Sequence, residues 1–419
     1  VAGLGHKAPS DKLNIVGIGV GGMGFANLKR LTSENIIGLV DVDWKYTAGN
    51  GVFDKFPKAK RYKDWRIAYE ELGKEMDAVL VATADHTHAV IAATAMEMGK
   101  HTYVQKPLTH TVYESRLLTK LAAKNNLATQ MGNQGSSGEG VNLTCEWLAN
   151  GEIGEVTKVE AFTDRPIWPQ GLNTPERGDW VPETLDWDLF TGPAKMRPYN
   201  QVYHPWNWRG WWDYGTGALG DMACHILHPV FVGLELGYPI HTQGNSSLLL
   251  QDCAPVSQSV KLTFPARSPK KAWKGMKKNA QLPQVDVHWY DGGIKPMLPK
   301  GWPDGKNPND SGGGVIFHGT KDSLVCGCYG KDPWLLSGRV PEAPKFRRRV
   351  EEAIGIEWKN GAHEMDWVRA CKESPENRIK TASDFSEAGP FNEMVVMGVL
   401  GVRLQSLNKE LDWDGEKME

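Results

Sequence analysis

The feature that most constrains this chain is a glycine-rich turn between a short apolar run and a predicted helix. The run Leu13–Gly17 leads into Gly17-Ile-Gly19-Val-Gly-Gly22, and the helix is predicted over about residues 22–32. In this strand–turn–helix context the spacing G-x-G-x-x-G is typical of dinucleotide binding. Gly17 permits the tight turn, Gly19 lets the backbone approach a pyrophosphate, and Gly22 allows the helix to pack closely on the strand. We therefore expect the chain to begin with a nucleotide-binding sheet.

An acidic pair follows the second predicted strand. The run Ile36–Val40 ends at Asp41-Val-Asp43, and Trp44 comes next. A carboxylate at this place can accept hydrogen bonds from the 2′-hydroxyl of the adenosine ribose, and it would repel a 2′-phosphate. The sequence therefore predicts NAD as the cofactor and disfavours NADP.

Strands and helices alternate at short spacing up to about residue 135. The predicted strands lie at 78–82, 101–105 and 128–132, and the predicted helices at 65–72, 89–98 and 111–125. Such alternation indicates a parallel sheet covered by helices on both faces. We expect residues 13–135 to form a Rossmann NAD(P)-binding domain. Residues 1–12 would precede it as an N-terminal arm or the remnant of a signal segment.

The pattern changes beyond residue 135. A strand is predicted at 156–163, and a stretch rich in tryptophan, proline and glycine follows at 164–216 with little periodicity. Strand-like runs then lie at 245–250, 257–264, 284–291, 313–318 and 322–327, and helices are predicted at 362–372 and 383–406. Strands without regular helices between them indicate an open, largely antiparallel sheet. The fold class is therefore α/β throughout, with a second α/β domain over residues 136–419 that we expect to bind substrate and form oligomer contacts.

Two groups of residues carry the candidate chemistry. Lys106 follows the strand at 101–105, and ligands of open α/β sheets bind at the carboxyl ends of the strands. Asp221 and His225 are four residues apart on a predicted helix and so share one face, with His228 close to it. An aspartate can orient an imidazole, and a histidine can transfer a proton near neutral pH. The structural alternative is a packed histidine below a helix-terminal aspartate. A metal at His225 and His228 would lack a third ligand, so no metal is predicted.

Charge and composition exclude several classes of partner. The chain has 48 basic and 50 acidic residues, a net charge of −2, and no basic run, which argues against nucleic acid or an anionic membrane surface as the main partner. No apolar stretch approaches the roughly 18 residues that a membrane span needs. The 17 tryptophans are an outlier, and many lie between Trp168 and Trp212. Their flat apolar faces suit sugar rings, although tryptophans also fill cores and oligomer contacts.

Together these motifs resemble the glucose–fructose oxidoreductase, inositol dehydrogenase and MocA (Gfo/Idh/MocA) family. The matching features are the glycine turn, Asp41, the run from Thr83 to His101, Lys106-Pro107, and Asp221 with His225. The resemblance implies an NAD-dependent oxidoreductase in which Lys106 and His225 act on a substrate hydroxyl, with Asp221 beside them. It also implies that the nicotinamide of the cofactor lies near the residues from Thr83 to His88.

The resemblance further implies a set of cofactor contacts. These are expected from Gly17, Gly19, Gly22, Met23, Asp41, Asp43, Trp44, Thr83, Asp85, His86, His88, Gln105 and Lys106. Two positions depart from the family pattern. Gln105 stands where a glutamate usually precedes the lysine, and His228 stands where an acid often follows the histidine. Because the lysine is retained, proton transfer at Lys106 is still expected.

The aromatic segment 187–212 is similar to a subgroup that is often exported and acts on glycosides and other sugars. The residues expected to bind the substrate are Tyr203, His204, Trp206, Trp208, Arg209, Trp211 and His228. The chain begins Val-Ala-Gly rather than with Met, as a cleaved export signal would leave it. We therefore expect a periplasmic or exported homo-oligomer, a dimer or tetramer. A cytoplasmic location stays open, as does continuation of the natural chain beyond Glu419.

Three functions fit these residues. The first is a dehydrogenase that passes hydride from a secondary sugar carbon, with C3 favoured, to NAD, while Lys106 and His225 move the hydroxyl proton. The second is a glycosidase or lyase that oxidises C3 transiently, eliminates the aglycone and re-reduces the ketone. That route needs a further base, for which Tyr203, His204 and His228 are candidates. The third is a catalytically silent sugar-binding protein, which the presence of Lys106 and His225 disfavours. NADH accumulates only in the first function, because the second re-reduces the ketone and so regenerates NAD.

Overall fold

Two sheets organise the chain. The computed structural model describes residues 11–270, 281–308 and 312–418, so residues 1–10 of the expected N-terminal arm lie outside the described residues. The first sheet has six strands, all parallel, and the second has eight strands of mixed direction. The predicted α/β fold class is therefore confirmed.

The six strands of the parallel sheet lie in the order β3-β2-β1-β4-β5-β6. They are β1 (Asn14–Ile18), β2 (Asn35–Val40), β3 (Lys60–Tyr62), β4 (Ala78–Val81), β5 (His101–Val104) and β6 (Thr129–Met131). All four residues of β4 are buried, as expected of a strand covered on both faces. The strand order reverses between β1 and β4. A reversal of this kind opens a crevice at the carboxyl ends of the strands, where ligands of such sheets bind.

Seven helices connect or follow these strands. They are α1 (Gly22–Leu28), α2 (Trp44–Gly49), α3 (Val52–Lys55), α4 (Trp65–Leu72), α5 (His88–Glu97), α6 (Val112–Lys124) and α7 (Glu139–Ala149). Local sequence explains several of their starts. Asp64 caps α4, and Thr111 with Glu114 forms a reciprocal capping box at the start of α6.

The mixed sheet has the strand order β13-β12-β11-β7-β10-β9-β8-β14. Its strands are β7 (Val156–Thr163), β8 (His241–Ser246), β9 (Gln258–Phe264), β10 (Val285–Tyr290), β11 (Gly313–Gly319), β12 (Ser323–Gly327), β13 (Trp334–Leu335) and β14 (Leu411–Asp412). Strands β7 and β10 pair in parallel, and the other neighbours are antiparallel. The prediction of a largely antiparallel sheet is thus confirmed.

Six further helices follow α7 in the described part of the chain. They are α8 (Trp187–Thr191), α9 (Gly217–Ile226), α10 (His228–Gly233), α11 (Val350–Ile354), α12 (Ala362–Lys372) and α13 (Phe385–Arg403). Helix α13 packs on β8 and β9 of the mixed sheet. Helix α12 instead returns to the parallel sheet, where Trp367 and Val368 share a core with Leu13 and Ile15. In the described ranges, no helix combines the length and the apolar character needed to cross a membrane.

The tryptophan-rich stretch builds an aromatic core of its own. The ring of Trp187 stacks on Phe190 at 5.1 Å between centroids, and Tyr203 meets Trp211 edge-on at 4.7 Å. Tyr214 is fully buried in the same cluster. The stretch has little periodicity because aromatic packing, rather than regular strands or helices, gives it its shape.

Candidate active site

A cleft of about 490 Å³ lies along the carboxyl ends of the parallel strands and reaches the start of α9. The glycine turn forms one wall, and the carboxyl ends of β2, β4 and β5 contribute Asp41, Thr83 and Lys106. Across the cleft lie part of the aromatic stretch, residues 188–193 and 204–209, and Asp221 on α9. The cleft therefore brings the glycine turn, the strand-end lysine and the helix aspartate into one space.

The glycine turn fits a dinucleotide because its backbone packs closer than side chains would allow. Gly19 has a φ of +75°, and a Cβ built there would lie 2.6 Å from the backbone of Ala82 and Thr83. At Gly24 an added Cβ would lie 1.9 Å from the carbonyl oxygen of Gly19, so α1 packs directly against the turn. Gly19, Gly22 and Met23 line the cleft, as expected for cofactor contacts. Gly17 instead serves packing, since a Cβ there would meet Leu28 at 2.9 Å.

The two predicted acids after β2 have different surroundings. Asp41 lines the cleft and accepts hydrogen bonds from the backbone N–H of Gly21 at 3.2 Å and of Asp43 at 3.1 Å. Burial raises the pKa of Asp41, and these hydrogen bonds partly oppose that shift. Asp43 instead caps α2, because its carboxylate accepts from the N–H groups of Lys45 and Tyr46. Asp41 is thus the acid placed to meet a ribose.

Three residues predicted to contact the cofactor have side chains turned into the protein. Asp85 accepts a hydrogen bond from Thr216 at 2.8 Å, and the ring of His86 contacts the carbonyl oxygens of Phe190 and Tyr214. The ring of His88 lies between two further carbonyl oxygens, those of Pro107 at 2.8 Å and Thr83 at 3.1 Å. His88 therefore ties the end of β4 to the segment after Lys106. None of the three is among the described residues that line the cleft, and the same is true of Trp44.

Lys106, Asp221 and Arg209 form the charged centre of the cleft. The Nζ of Lys106 lies 2.9 Å from Oδ1 and 3.0 Å from the carbonyl oxygen of Asp221, and Arg209 Nε donates to the same Oδ1 at 3.2 Å. Burial alone would raise the pKa of Asp221, but the charges of Lys106 and Arg209 outweigh it and hold the pKa far below its usual range. Asp221 is therefore a carboxylate that fixes two cations. Gln105 also lines the cleft and donates to Asn27 at 2.7 Å.

His225 lies one helical turn after Asp221 and is buried, with 6% of its surface exposed. Burial lowers its pKa well below the ordinary value, and the charge of Lys106 acts in the same direction. His225 is therefore a neutral imidazole near neutral pH, in the electrostatic range of Lys106 and Asp221. Its ring also contacts Tyr329, a residue that the sequence did not single out.

The predicted sugar-binding residues separate into two groups. His204, Trp206, Trp208 and Arg209 line the cleft, and the Arg209 guanidinium lies 4.0 Å from the Trp206 ring centroid and 4.4 Å from that of Trp208. The other three lie outside the cleft. Tyr203 and Trp211 are buried in the aromatic core, and the Nε2 of His228 lies 3.1 Å from Glu387. Tyr203 and Trp211 turn inward because the aromatic core packs around them.

The structure adds cleft residues that the sequence did not predict. Tyr46 lines the cleft beside the glycine turn, and a Cβ built at Gly21 would lie 2.6 Å from its ring. Asp188, Leu189 and Phe190 line it from α8. The one signal in the sequence for Tyr46 was its position three residues after Asp43, about one helical turn away. Across residues 11–270, 281–308 and 312–418, no group of three or more His, Cys, Asp or Glu side chains is arranged to hold a metal ion.

Solved structures share this architecture, and curated proteins resemble part of the chain in sequence. An inositol dehydrogenase homologue from Azotobacter vinelandii, solved with NADH and myo-inositol, superposes with a TM-score of 0.60 over 96% of this chain and 98% of its own, at 15% identity. Levoglucosan dehydrogenase of Pseudarthrobacter phenanthrenivorans is 26% identical over 39% of this chain and 34% of its own length. Glycosyl hydrolase family 109 protein 2 of Akkermansia muciniphila is 27% identical over 43% of this chain and 40% of its own. The chain thus spans between a third and two fifths of the length of these two curated relatives.

Two family descriptions match consecutive parts of the chain. Residues 12–133 match the NAD-binding Rossmann fold of an oxidoreductase family, and residues 153–266 match the C-terminal α/β domain of the same family. Together the two matches cover more than half of the chain. The chain therefore belongs to the Gfo/Idh/MocA oxidoreductase family, and its first match is the family's NAD-binding domain.

Proposed function

We propose that this protein is an NAD-dependent dehydrogenase that acts on a secondary hydroxyl, with C3 favoured, of a sugar or glycoside. The observation that carries the proposal is the meeting of Lys106, Asp221 and Arg209 between the nucleotide side of the cleft and its tryptophan side. Charged proton-transfer groups, a nucleotide site and exposed aromatic faces together suit oxidation of a polar ring compound.

Lys106, Asp221 and Arg209 line the cleft, His225 is buried one helical turn after Asp221 and is not among the lining residues, and each has a separate task in the proposed reaction. NAD, when bound, supplies the hydride acceptor. Lys106 can donate a hydrogen bond from Nζ to the substrate oxygen while Asp221 fixes the position of its ammonium group. Neutral His225 can accept the hydroxyl proton through a ring nitrogen, which leaves the substrate as a ketone once hydride has departed from the same carbon. Arg209 also donates a hydrogen bond to the Asp221 carboxylate, and its guanidinium packs on the rings of Trp206 and Trp208.

The relatives support the substrate class. One is named as a levoglucosan dehydrogenase and another structure was solved with myo-inositol, so rings that carry several hydroxyl groups recur among them. The exposed ring of Trp206 and the half-buried ring of Trp208 are the surfaces on which such a ring would stack.

A redox-neutral glycosidase is the second candidate, and one observation favours it. His204 lines the cleft, and burial lowers its pKa so that it is neutral near neutral pH. A neutral imidazole there is the further base that elimination at C2 requires. The similarity to a glycosyl hydrolase family 109 protein supports this route. Of the three bases considered from the sequence, His204 is the one that lines the cleft.

Location and assembly follow as proposals from the sequence. The resemblance of the aromatic segment 187–212 to a subgroup that is often exported supports an exported, periplasmic enzyme. The mixed sheet and the tryptophan-rich stretch at 164–216 support a homo-oligomer. The net charge of −2 supports a protein that does not bind nucleic acid.

The test is a panel of free sugars and aryl glycosides added to purified protein with NAD in excess. A dehydrogenase accumulates NADH fluorescence with at least one member of the panel and yields the 3-keto product, located by reduction with borodeuteride and mass spectrometry. Release of the aglycone without NADH accumulation would replace this proposal with the glycosidase. Saturable sugar binding with neither signal would identify a silent sugar-binding protein.

A further inference from the structure

An aromatic side chain packs against the imidazole of His225. The ring centroids of His225 and Tyr329 are 4.5 Å apart with an interplanar angle of 50°. On its other side Tyr329 faces Trp358, at 6.0 Å between centroids. Tyr329 lies in a short turn after β12, far in sequence from α9. The contact therefore joins the histidine to the turn that follows β12 of the mixed sheet.

Three other buried histidines near the site are fixed by hydrogen bonds. The rings of His86, His88 and His363 each contact backbone carbonyl oxygens, at 3.0, 2.8 and 2.9 Å respectively. The Nδ1 of His225 is buried and has no hydrogen-bond partner among the residues that the structure describes. Packing must therefore set the orientation of the His225 ring on that side, and Tyr329 provides the ring contact.

The backbone at Tyr329 indicates that its placement is specified by the fold. Its φ of 65° and ψ of 14° lie in the left-handed region, which is unusual for a bulky residue. Such conformations persist where the surroundings determine them, and they cluster at functional sites. The surroundings here are glycines, since a Cβ at Gly135 would lie 2.8 Å from the Tyr329 Cα and one at Gly140 would lie 2.0 Å from the Gly330 oxygen.

We propose that Tyr329 is a positioning residue for His225, holding the imidazole in the orientation in which it exchanges a proton with the substrate hydroxyl. The ring face does this, and the phenolic hydroxyl is not required. The inference rests on the proposed function, in which His225 is the proton acceptor. It adds a role for a segment that reaches the site from more than 100 residues further along the chain.

The proposal also predicts how hydration of the His225 imidazole changes when the Tyr329 ring is removed. Burial is the main cause of the lowered pKa of His225, and Tyr329 forms part of that cover. The titratable groups that act on His225 are Lys106, Asp221, His363 and His228. Their contributions stay in place when the tyrosine ring is removed, whereas the imidazole becomes better hydrated. The pKa of His225 should then move up toward its ordinary value.

The experiment compares three substitutions at one position. Tyr329→Phe keeps the ring. Tyr329→Asn and Tyr329→Gly remove it and introduce residues that tolerate a left-handed backbone, which offsets part of the packing energy lost with the ring. Asp332→Asn is the matched control, because this exposed neighbour also has a positive φ of 46°. We measure kcat, KM, the pH dependence of kcat and the melting temperature for each.

We expect Tyr329→Phe and the control to keep kcat within about twofold of the parent. The Asn and Gly variants should lose about tenfold or more in kcat, as misplaced catalytic groups do, with little change in KM or melting temperature. The limb of the pH profile that reports the base should move to higher pH. Parent-like kcat and pH profile in either ring-free variant would overturn the proposal. So would a loss of activity that appears in both variants together with a lowered melting temperature, since Tyr329 would then be structural only.

One readout does not depend on turnover. Diethyl pyrocarbonate acylates neutral, accessible imidazoles, and mass spectrometry locates the modified histidine. His225 should react faster in the Asn and Gly variants than in the parent or in Tyr329→Phe, with His110 in the same sample as the internal reference. An unchanged rate at His225 would refute the positioning role even if no sugar were oxidised. A faster rate together with no turnover of any sugar by the parent would leave the ring contact standing and overturn the proposed function instead.

Discussion

Lys106 and Asp221 form an ion pair, with 2.9 Å between Nζ and Oδ1, that joins the parallel sheet to helix α9. Lys106 follows β5, whereas Asp221 belongs to the second half of the chain. Both side chains are largely buried, with 13% and 16% of their surfaces exposed. A buried charge that loses its partner is strongly destabilising, so either residue alone would be an unfavourable feature of the cleft. The pair therefore fixes the relative position of the nucleotide side and the sugar side at the point where reaction is proposed.

Replacing Lys106 with methionine should separate binding from turnover. The variant removes the Nζ that reaches the substrate oxygen but leaves the glycine turn and Asp41 untouched. We expect kcat to fall by about 100-fold or more, the scale of general acid–base catalysis, with the dissociation constant for NAD close to that of the parent. Steady-state kinetics and a fluorescence titration measure the two quantities. Lys120→Met, an exposed change on α6, is the control, and a near-normal rate in Lys106→Met would mean that the lysine is structural.

Substituting Asp41 with serine should relax the preference for NAD. The Asp41 carboxylate lines the cleft at the end of β2, where it would repel a 2′-phosphate. Serine keeps a hydrogen-bonding group and removes the charge, so the ratio of the NADP to NAD dissociation constants should fall. Lys45 lies close in sequence and would favour NADP once the acid is gone. Asp54→Ser, an exposed acid on α3, should change neither constant, and a parent protein that binds NADP more tightly than NAD would contradict the role of Asp41.

Two tryptophans five residues apart should give opposite phenotypes. Trp206 is 45% exposed and lines the cleft, whereas Trp211 is 1% exposed and donates from Nε1 to the Val202 oxygen at 2.9 Å. Trp206→Ala should raise the KM for sugar about tenfold, equivalent to about 1.4 kcal/mol, without changing the melting temperature. Trp211→Ala should instead lower the free energy of unfolding by about 3–5 kcal/mol.

Kinetics, calorimetry and sedimentation together decide the outcome for these tryptophans. If Trp206→Ala lost oligomer assembly and kept normal kinetics for each folded subunit, Trp206 would belong to an interface rather than to the sugar site.

Glu160 on β7 should make stability depend on acid pH. Its carboxylate accepts from Lys158 and His318, each at 2.8 Å. Burial alone would raise its pKa, but the two partners lower the pKa from 4.5 to about 2. Because the folded value is the lower one, the stabilisation is fully present above about pH 4.5 and is lost as the pH falls toward 2. Urea unfolding should show Glu160→Gln about 2 kcal/mol less stable than the parent at pH 7 and nearly equal near pH 2. Exposed Glu97→Gln should show no such convergence.

The sequence predicted the fold because its signals are periodic and repeated. The glycine turn and the alternating strands placed β1, β2, β4, β5 and β6 in a parallel sheet, which the structure confirms. Strands β3 and β13, of three and two residues, were not predicted, because neither lies in an apolar run long enough to show a period. The strand predicted at 245–250 lies at 241–246 instead. The prediction relied on the apolar run 248–250, but that run is not part of the strand and its Leu248 is 75% exposed.

The cleft was predictable only in part, for a different reason. Lys106, Asp41 and Asp221 stand at positions that local structure alone makes prominent, namely strand ends and the first turns of a helix. Tyr329 carries no such signal, since it is a single residue in an irregular turn that tertiary packing brings beside His225. Trp206 and Trp211 are identical residues in one segment, and only packing decides which of them is buried.

Helix α12 sets the order in which the protein can be completed during synthesis. Its Trp367 packs edge-on against Tyr103 of β5 at 5.7 Å, and its Glu364 accepts from Asn27 at 2.7 Å. A nascent chain that had left the ribosome only as far as residue 135 would expose this apolar face of the parallel sheet, because its cover is translated after residue 361. The nucleotide-binding half is thus translated before the helix that completes its core, and a gene fragment for residues 1–135 would encode an incomplete core.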